Sequence, residues 1–147
     1  MKLYSISIFI FSLIFLFVSC TNKGNEQINC SYSDILLENF ESTNEEMKKN
    51  KDKDFYISGI IKKIDRPKDQ PLLNECVIYF YDDKIFDEKA WVGKFVSIKV
   101  KPLIEQDLVG KPVTIKCKYK VMSSMKLDED YNNYFCVKFK NGILIDK

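Results

Sequence analysis

The feature that most constrains the fold is an alternating run at residues 113–121, in which apolar side chains occupy every second position and polar ones lie between them. Successive side chains of a strand point to opposite faces, so this run predicts a strand with one face on a core and one in water. One such strand cannot bury its apolar face alone, and the chain must therefore form a sheet. The apolar positions are Val113, Ile115, Cys117, Tyr119 and Val121.

Other segments rich in β-branched and aromatic residues predict the remaining strands. These are residues 55–64, 76–81, 95–100 and 134–139, the last with a continuation past the Asn141-Gly142 turn signal to Ile145. Gly59 lies inside the first of them, and an isolated glycine in a strand is typical of a bulge or of a sharp bend where a small barrel closes. Residues 103–109 can form one helical turn between two strands.

A helix is predicted before the first strand. Ser31 and Asp34 have the spacing of a capping box. Leu36, Phe40 and Met47 then recur at helical intervals between charged residues. We therefore expect one amphipathic helix over residues 32–49, which is followed by the charged residues 48–54.

Two glycine-containing patterns carry a family resemblance. Residues 56–64 fit v-x-G-x-(V/I)-x-x-I, and residues 110–116 fit G-x-x-V-T-(I/V)-K. With the preceding helix, residues 33–146 resemble the tRNA_anti-like family of OB-fold domains. The resemblance implies a mainly β (α+β) fold, a five-stranded OB-fold Greek-key barrel preceded by one amphipathic helix. It implies no catalytic residues.

The N-terminus has the composition of an export signal. Lys2 is followed by an apolar stretch at residues 3–18, and then by Ser19 and Cys20. A spanning helix usually needs about 20 apolar residues, whereas this shorter core before a small residue predicts a signal peptide at residues 1–19. An uncleaved membrane anchor is the alternative.

The sequence FVSC at residues 17–20 resembles the lipobox of bacterial lipoproteins, in the relaxed form of spirochaetal ones. The resemblance implies that Cys20 carries a lipid that anchors the chain in the membrane, with the rest in the periplasm or on the cell surface. An ordinary signal peptide with a coincidental cysteine is the alternative. Residues 20–31 read as a polar tether, and residues 32–147 have the length of one domain.

Composition narrows the possible chemistry. The chain has no histidine, which removes the commonest general base and zinc ligand. Its formal net charge is +2, and Arg66 is the single arginine, so nothing favours nucleic acid or a bidentate anion site. We expect a non-enzymatic protein without a cofactor or metal. The acidic residues 82–88 and 128–130 lack the spacing of a calcium loop.

The remaining cysteines are candidates for disulfides outside the cytoplasm. They are Cys30, Cys76, Cys117 and Cys136. Three connectivities are open, and free thiols are an equal alternative. No Cys-x-x-Cys motif supports a thiol redox enzyme.

The candidate ligand site lies on the second predicted strand. Cys76, Ile78 and Phe80 can face the core while Tyr79 and Tyr81 point out. OB-folds stack bases or sugars on exposed aromatic residues of this face, so Tyr79, Tyr81 and nearby Phe95 predict a binding site for an unidentified ligand. Plain surface residues on a half-buried sheet are the alternative.

A protein-interaction function is the second hypothesis. A surface-displayed lipoprotein would contact a host or envelope protein through the long segment 122–133. The lysine row Lys116, Lys118 and Lys120 fits an anionic polymer or lipid headgroups, or else a solvated face. For Trp91, core packing is the default interpretation.

Overall fold

The computed structural model describes residues 26–68, 73–124 and 134–146. With 51% strand and 18% helix, it confirms the prediction of a mainly β, α+β fold. The elements in chain order are β1 (Gln27–Ser31), α1 (Tyr32–Leu37), α2 (Phe40–Lys49), β2 (Asp54–Ile60), β3 (Lys63–Asp65), β4 (Cys76–Phe80), β5 (Phe86–Asp87), β6 (Val92–Gly93), β7 (Phe95–Val100), a 3₁₀ helix (Gln106–Leu108), β8 (Pro112–Ser124) and β9 (Phe135–Asp146).

Seven of the strands form one sheet in the order β1-β2-β8-β9-β7-β4-β3, while β5 and β6 form a separate hairpin. Neighbours are antiparallel except for the pairs β1/β2 and β7/β9, which are parallel. The sheet is not closed, because its end strands β1 and β3 do not pair with each other. A closed five-stranded barrel is therefore not confirmed.

Strand β8 shows how far alternation predicts burial. Its side chains alternate as predicted as far as Tyr119, but Val121 is 42% exposed and Met122 is buried instead. The pairing of β8 with β9 shifts register between Tyr119 and Val121. One extra residue in a strand reverses which face the following side chains occupy. A bulge therefore overturns the predicted burial of Val121.

Gly59 does not form the bulge predicted in β2. The pairing of β2 with β8 runs through Gly59 without a register shift. A Cβ at Gly59 would overlap the ring of Tyr32, which stacks on Phe80 with ring centroids 5.7 Å apart. Gly59 thus lets the first helix approach the sheet.

The Asn141-Gly142 pair in β9 does not form the predicted turn. Asn141 has φ 55° and lies within a continuous strand, so the pair makes a register shift instead.

The prediction of one helix over residues 32–49 is wrong. The predicted capping box at Ser31 and Asp34 is present and starts α1, but this helix ends at Leu37, with Glu38 as its C-cap. Asn39 then caps α2, because its side-chain oxygen accepts a 2.9 Å hydrogen bond from the backbone N–H of Ser42. Asparagine competes with the helix for such bonds and prefers the N-cap to the interior. The chain therefore breaks into two helices.

The last residues of the predicted tether form β1. Gln27–Ser31 pairs in parallel with β2, and Ile28 and Cys30 pack on the core. The apolar residues alternate here too, but over too few positions to stand out in the sequence.

The main core lies between the inner faces of the sheet strands and the helices. The helices contribute Leu36 and Met47, and the 3₁₀ helix, in the segment predicted as a helical turn, contributes Leu108. The main core's most deeply buried side chains include Phe55, Ile57, Ile61, Ile78, Phe80, Val96, Ile98, Val100, Ile115, Phe135 and Phe139.

Candidate ligand-binding site on the outer face

A second apolar cluster, here called the outer cluster, lies on the opposite face of β4 and β7 from the main core. It forms because the β5–β6 hairpin folds over that face. Ring centroids of Phe86 lie 4.5 Å from Tyr81 and 5.2 Å from Phe95, and those of Trp91 lie 5.2 Å from Tyr79. The outer cluster consists of Tyr79, Tyr81, Phe86, Trp91, Phe95 and Cys136.

The β5–β6 hairpin buries two of the three predicted site residues, Tyr81 and Phe95. Tyr79 points outward and is half-buried, as a ligand contact requires. Tyr81 is only 2% exposed and Phe95 only 4% exposed, so the prediction that Tyr81 lies open to a ligand is wrong. The physical reason is that Phe86 and Trp91 cover the face that strand alternation turns toward solvent. The predicted inward residues of β4, including Ile78 and Phe80, do lie in the main core.

Trp91 is, with Tyr79, one of the two partly exposed residues of the outer cluster. It is half-buried, and its backbone has φ 56°. A large side chain in this left-handed region is a rare and strained conformation, of order 1–3 kcal/mol. The preceding turn is fixed by the Asp87 carboxylate, which accepts hydrogen bonds from the backbone N–H groups of Lys89 (2.9 Å) and Ala90 (3.1 Å).

Charged groups from β3 border the aromatic rings. Lys63 lies directly opposite Tyr79 in the β3–β4 ladder, and its ammonium is 4.6 Å from the Trp91 ring centroid. The Asp65 carboxylate lies near the Tyr79 phenol, and the Lys63 ammonium lies 3.7 Å from the same carboxylate. Burial, followed by the Asp65 charge, raises the pKa of Tyr79. Its phenol therefore stays a neutral hydrogen-bond donor near neutral pH.

Tyr81 has a related environment under the hairpin. Burial and a hydrogen bond to Glu88 raise the pKa of Tyr81 to about 12. Because its ring is enclosed by Phe86, this phenol supports the hairpin and is not a ligand contact.

The open part of the face combines an aromatic platform with one cation and one carboxylate. Trp91 and Tyr79 can stack on a flat ring, while Lys63 and Asp65 can bind its polar substituents. Sequence reasoning did not select Trp91, Lys63 or Asp65 for this site. The signal for the β3 residues was present, because Lys63 and Asp65 flank buried Ile64 and so share the outer face.

The lysine row on β8 is partly neutralised. Lys116 and Lys118 lie 3.1 and 2.9 Å from the two carboxylate oxygens of Asp54. The hydrogen bonds from Lys118 and Lys116 lower the pKa of Asp54. Lys118 also donates a 2.7 Å hydrogen bond to the backbone oxygen of Asp52, whereas Lys120 is exposed.

The candidate disulfide cysteines are all free thiols in the structure. Cys76, Cys117 and Cys136 are buried and Cys30 is partly buried. Burial raises the pKa of Cys30 to about 12 and also raises that of Cys76 and Cys117. A thiolate is the reactive form, so these thiols are poor nucleophiles near neutral pH.

Some predicted features lie outside the described residues. These are the signal peptide, Cys20, the acidic residues 128–130 and residues 125–133 of the predicted contact segment. Within the described part of the chain, no cluster of acidic or cysteine side chains can hold a metal ion. No helix in that part is long and apolar enough to cross a membrane.

A scan against protein-family models, a search of curated proteins and a search of solved structures all found no match to this chain. The fold defines a mainly β protein with two helices beside its sheet.

Proposed function

We propose that the chain is a membrane-anchored lipoprotein whose exported part is a non-enzymatic OB-fold binding module. The lipid is attached to Cys20, and the ligand site is the face formed by Trp91, Tyr79, Lys63 and Asp65. The ligand is a sugar ring with an acidic substituent. The observation that carries the site is the strained, partly exposed Trp91 beside a lysine ammonium.

The strand pairing supports the OB-fold part of this proposal. β2 and β3 are consecutive, and their link is bonded on both sides: the backbone N–H of Ile61 donates to Lys111 and that of Lys62 donates to Tyr79. If β2 and β3 are one bent strand, it joins β8 on one side and β4 on the other. The five resulting strands, numbered 1 to 5 in chain order, are β2–β3, β4, β7, β8 and β9. They then pair in the order 1-2-3-5-4-1 of an OB-fold, with strands β7 and β9 parallel.

The chemistry of the face supports an acidic sugar. An aromatic ring packs against the apolar face of a pyranose, and Trp91 and Tyr79 are partly open at the rim of the outer cluster. The Lys63 ammonium suits a carboxylate on the sugar, and Asp65 suits its hydroxyl or amide N–H groups. A lipoprotein of the cell envelope would meet such sugars in the cell wall.

The test uses the single tryptophan of the chain as its own reporter. The probe is the disaccharide N-acetylglucosaminyl-N-acetylmuramic acid, titrated into the full-length protein while Trp91 fluorescence is recorded. We expect a saturable change that Lys63→Ala weakens severalfold. Lys84→Ala, which removes an exposed lysine from the link between β4 and β5, is the control. A flat titration in the wild-type protein would refute the sugar-binding site.

The lipid anchor is tested separately. Mass spectrometry of the protein purified from membranes should find acyl chains on Cys20 as the first residue. Cys20→Ala should abolish acylation and processing at this site. An unmodified Cys20 in the membrane-bound protein would contradict the anchor without bearing on the sugar site.

A protein-interaction function is the second candidate, and one observation favours it. The outer faces of β2 and β9 expose Ile60 (48%), Ile143 (50%) and Ile145 (53%). Exposed apolar side chains that group on one face can mark a contact surface. Ile143→Thr with Ile145→Thr should then reduce adhesion of whole cells to a host or neighbouring protein, and unchanged adhesion would argue against it. Protease shaving of intact cells shows whether this face is on the cell surface.

A further inference from the structure

A basic groove lies on the outer side of the β8–β9 ladder, away from the Trp91 site. It is a cavity of about 460 Å³ between the turn after α2 and the paired strands. Lys51 comes from the turn, Lys118 and Lys120 come from β8, and Lys140 comes from β9. Asp52 is the carboxylate among the groove's lining residues, so positive charge dominates.

The pairing of β8 with β9 places like charges against each other in this groove. Lys118 lies directly opposite Lys140 in the antiparallel ladder. Like charges at such positions destabilise a sheet, and a stable fold does not require them. Asp54 offsets the charge of Lys118, but no described residue forms an ion pair with Lys140, so the repulsion is only partly relieved within the described part of the protein.

Three of the four lysines of the groove are not neutralised by the described part of the protein. Lys118 is bonded to Asp54 and to the backbone of Asp52. In contrast, the ammonium groups of Lys51, Lys120 and Lys140 make no ion pair or hydrogen bond with any described residue. An anion bound between the strands would relieve the repulsion between Lys118 and Lys140.

The path of the chain puts this groove near the proposed anchor. Glu26 is ion-paired with Lys53, and Gln27 pairs with Asp54 at the start of β1. The chain therefore joins the sheet beside the turn that carries Lys51. Cys20 precedes Glu26 by six residues. At about 3.5 Å per residue, a lipid on Cys20 holds Glu26 within about 20 Å of its membrane.

We propose that the basic groove docks on the anionic phospholipid headgroups of the membrane that holds the Cys20 lipid. This inference rests on the proposed lipid anchor and is independent of the sugar site. Anionic headgroups match the groove in charge, and the short connection keeps them within reach. Docking would fix the orientation of the domain. The electrostatic attraction of the basic surface would also strengthen the membrane anchoring by the acyl chains.

The experiment compares lysine accessibility on two membranes. The full-length acylated protein is reconstituted into phosphatidylcholine vesicles with and without phosphatidylglycerol, and an amine-acetylating reagent is added. Mass spectrometry then gives the labelling rate of each lysine. Lys51, Lys120 and Lys140 should react severalfold more slowly on the anionic vesicles. Lys84 and Lys89, exposed near the hairpin, serve as the matched control and should react equally on both.

Two further measurements make the result specific. High salt should restore the labelling of Lys51, because salt screens the attraction between exposed charges. The double variant Lys120→Glu with Lys140→Glu should label Lys51 equally on both vesicles, whereas Lys84→Glu with Lys89→Glu should keep the difference. An unchanged urea unfolding midpoint verifies that the variants are folded.

The outcomes separate this inference from the proposed function. Equal labelling of the groove lysines on both vesicles, with acyl chains present on Cys20, would overturn the docking surface and leave the anchor intact. A Cys20 without acyl chains would overturn the anchor and this inference together.

Discussion

The main core and the outer cluster are both apolar, but they are held in different ways. Residues such as Ile57 and Ile98 in the main core are completely buried, and each lies on a strand that is paired on both sides. The outer cluster is covered by a hairpin whose strands have only two residues each. That hairpin contains Trp91 at φ 56° and Gly93 at φ 131°.

This difference separates the part of the molecule that specifies the fold from the part that can change. Regions with short pairing and half-exposed packing open at lower free energy than the strands of a core. The hairpin therefore belongs to the low-stability end of the protein, although its rings pack closely. A strained cover over an aromatic face is a suitable place for a ligand to bind.

Phe139→Ala should produce the largest effect because it acts on the main core. Phe139 is 2% exposed, and its ring packs edge-on against Phe55 at 5.3 Å and Tyr119 at 6.2 Å. Truncating a buried phenylalanine lowers the free energy of unfolding by about 3–5 kcal/mol. Urea unfolding measures this loss. Val121→Ala is the control on β8, since exposed Val121 should change stability by less than about 0.5 kcal/mol.

A similar loss of unfolding free energy in Phe139→Ala and Val121→Ala would contradict this prediction. It would mean that the exposed side of the β8–β9 ladder carries as much stability as its buried side.

Gly93→Ala should have an intermediate and local effect. A Cβ at Gly93 would collide with the carbonyl oxygen of Ile85 and lie 2.7 Å from the Cα of Phe86. Together with φ 131°, this should cost about 1–3 kcal/mol. Hydrogen exchange should become faster in residues 82–94 and stay unchanged in β8 and β9.

Gly110→Ala is the matched control for this prediction. Gly110 also has a positive φ, of 83°, but an added Cβ would meet no atom within 4 Å. It should therefore show the backbone strain alone, of about 1–2 kcal/mol. If Gly93→Ala accelerates exchange throughout the sheet, the hairpin is part of the cooperative core and the two regions are not independent.

A third prediction concerns pH. Burial and Glu88 raise the pKa of Tyr81 to about 12 in the folded protein, whereas an ordinary tyrosine has a pKa near ~10. The unfolded chain then releases this proton first as pH rises. The contribution of Tyr81 to stability is therefore fully present below a pH of about 10 and is lost as the pH rises toward about 12.

Tyr81→Phe tests this dependence. The wild-type protein should lose stability faster than Tyr81→Phe over that alkaline range, as followed by urea unfolding at each pH. Parallel curves for the two proteins would show that the hairpin does not keep Tyr81 neutral.

The two regions also differ in how well the sequence predicts them. Strand β7 was predicted with its correct bounds, and the observed β8 is a few residues longer than the predicted strand. These strands were predictable because period-two alternation is the direct signal of a half-buried strand. The residues of the predicted site, Tyr79, Tyr81 and Phe95, lie together in the outer cluster, but Tyr81 and Phe95 are buried there. Whether a strand's outer face is open depends on another segment folding over it, and strand alternation contains no such information.

The same limit explains the helix and the site residues. The break at Asn39 depends on one side-chain cap within a sequence of good helical periodicity. Core packing was the default interpretation of the single tryptophan, and its contact with Lys63 could not be predicted because it joins segments far apart in the chain. Register shifts such as the one before Val121 are likewise set by the partner strand. Local patterns determine the elements, and their contacts determine the site.

Lys63→Ala should have the smallest effect on stability and is the sharpest test of the outer cluster. The Lys63 ammonium lies 4.6 Å from the Trp91 ring centroid. A cation–π contact at a partly exposed site contributes about 0.5–1 kcal/mol. We expect a loss of that size in urea unfolding, an altered Trp91 emission, and unchanged hydrogen exchange in the hairpin. Lys111→Ala is the control, because Lys111 pairs with Asp107 at 3.0 Å and contacts no ring of the outer cluster, so it should leave Trp91 emission unchanged. If Lys63→Ala opens the hairpin as Gly93→Ala does, the cover is held by this charge and not by ring packing, and an anionic ligand competing for Lys63 would release it.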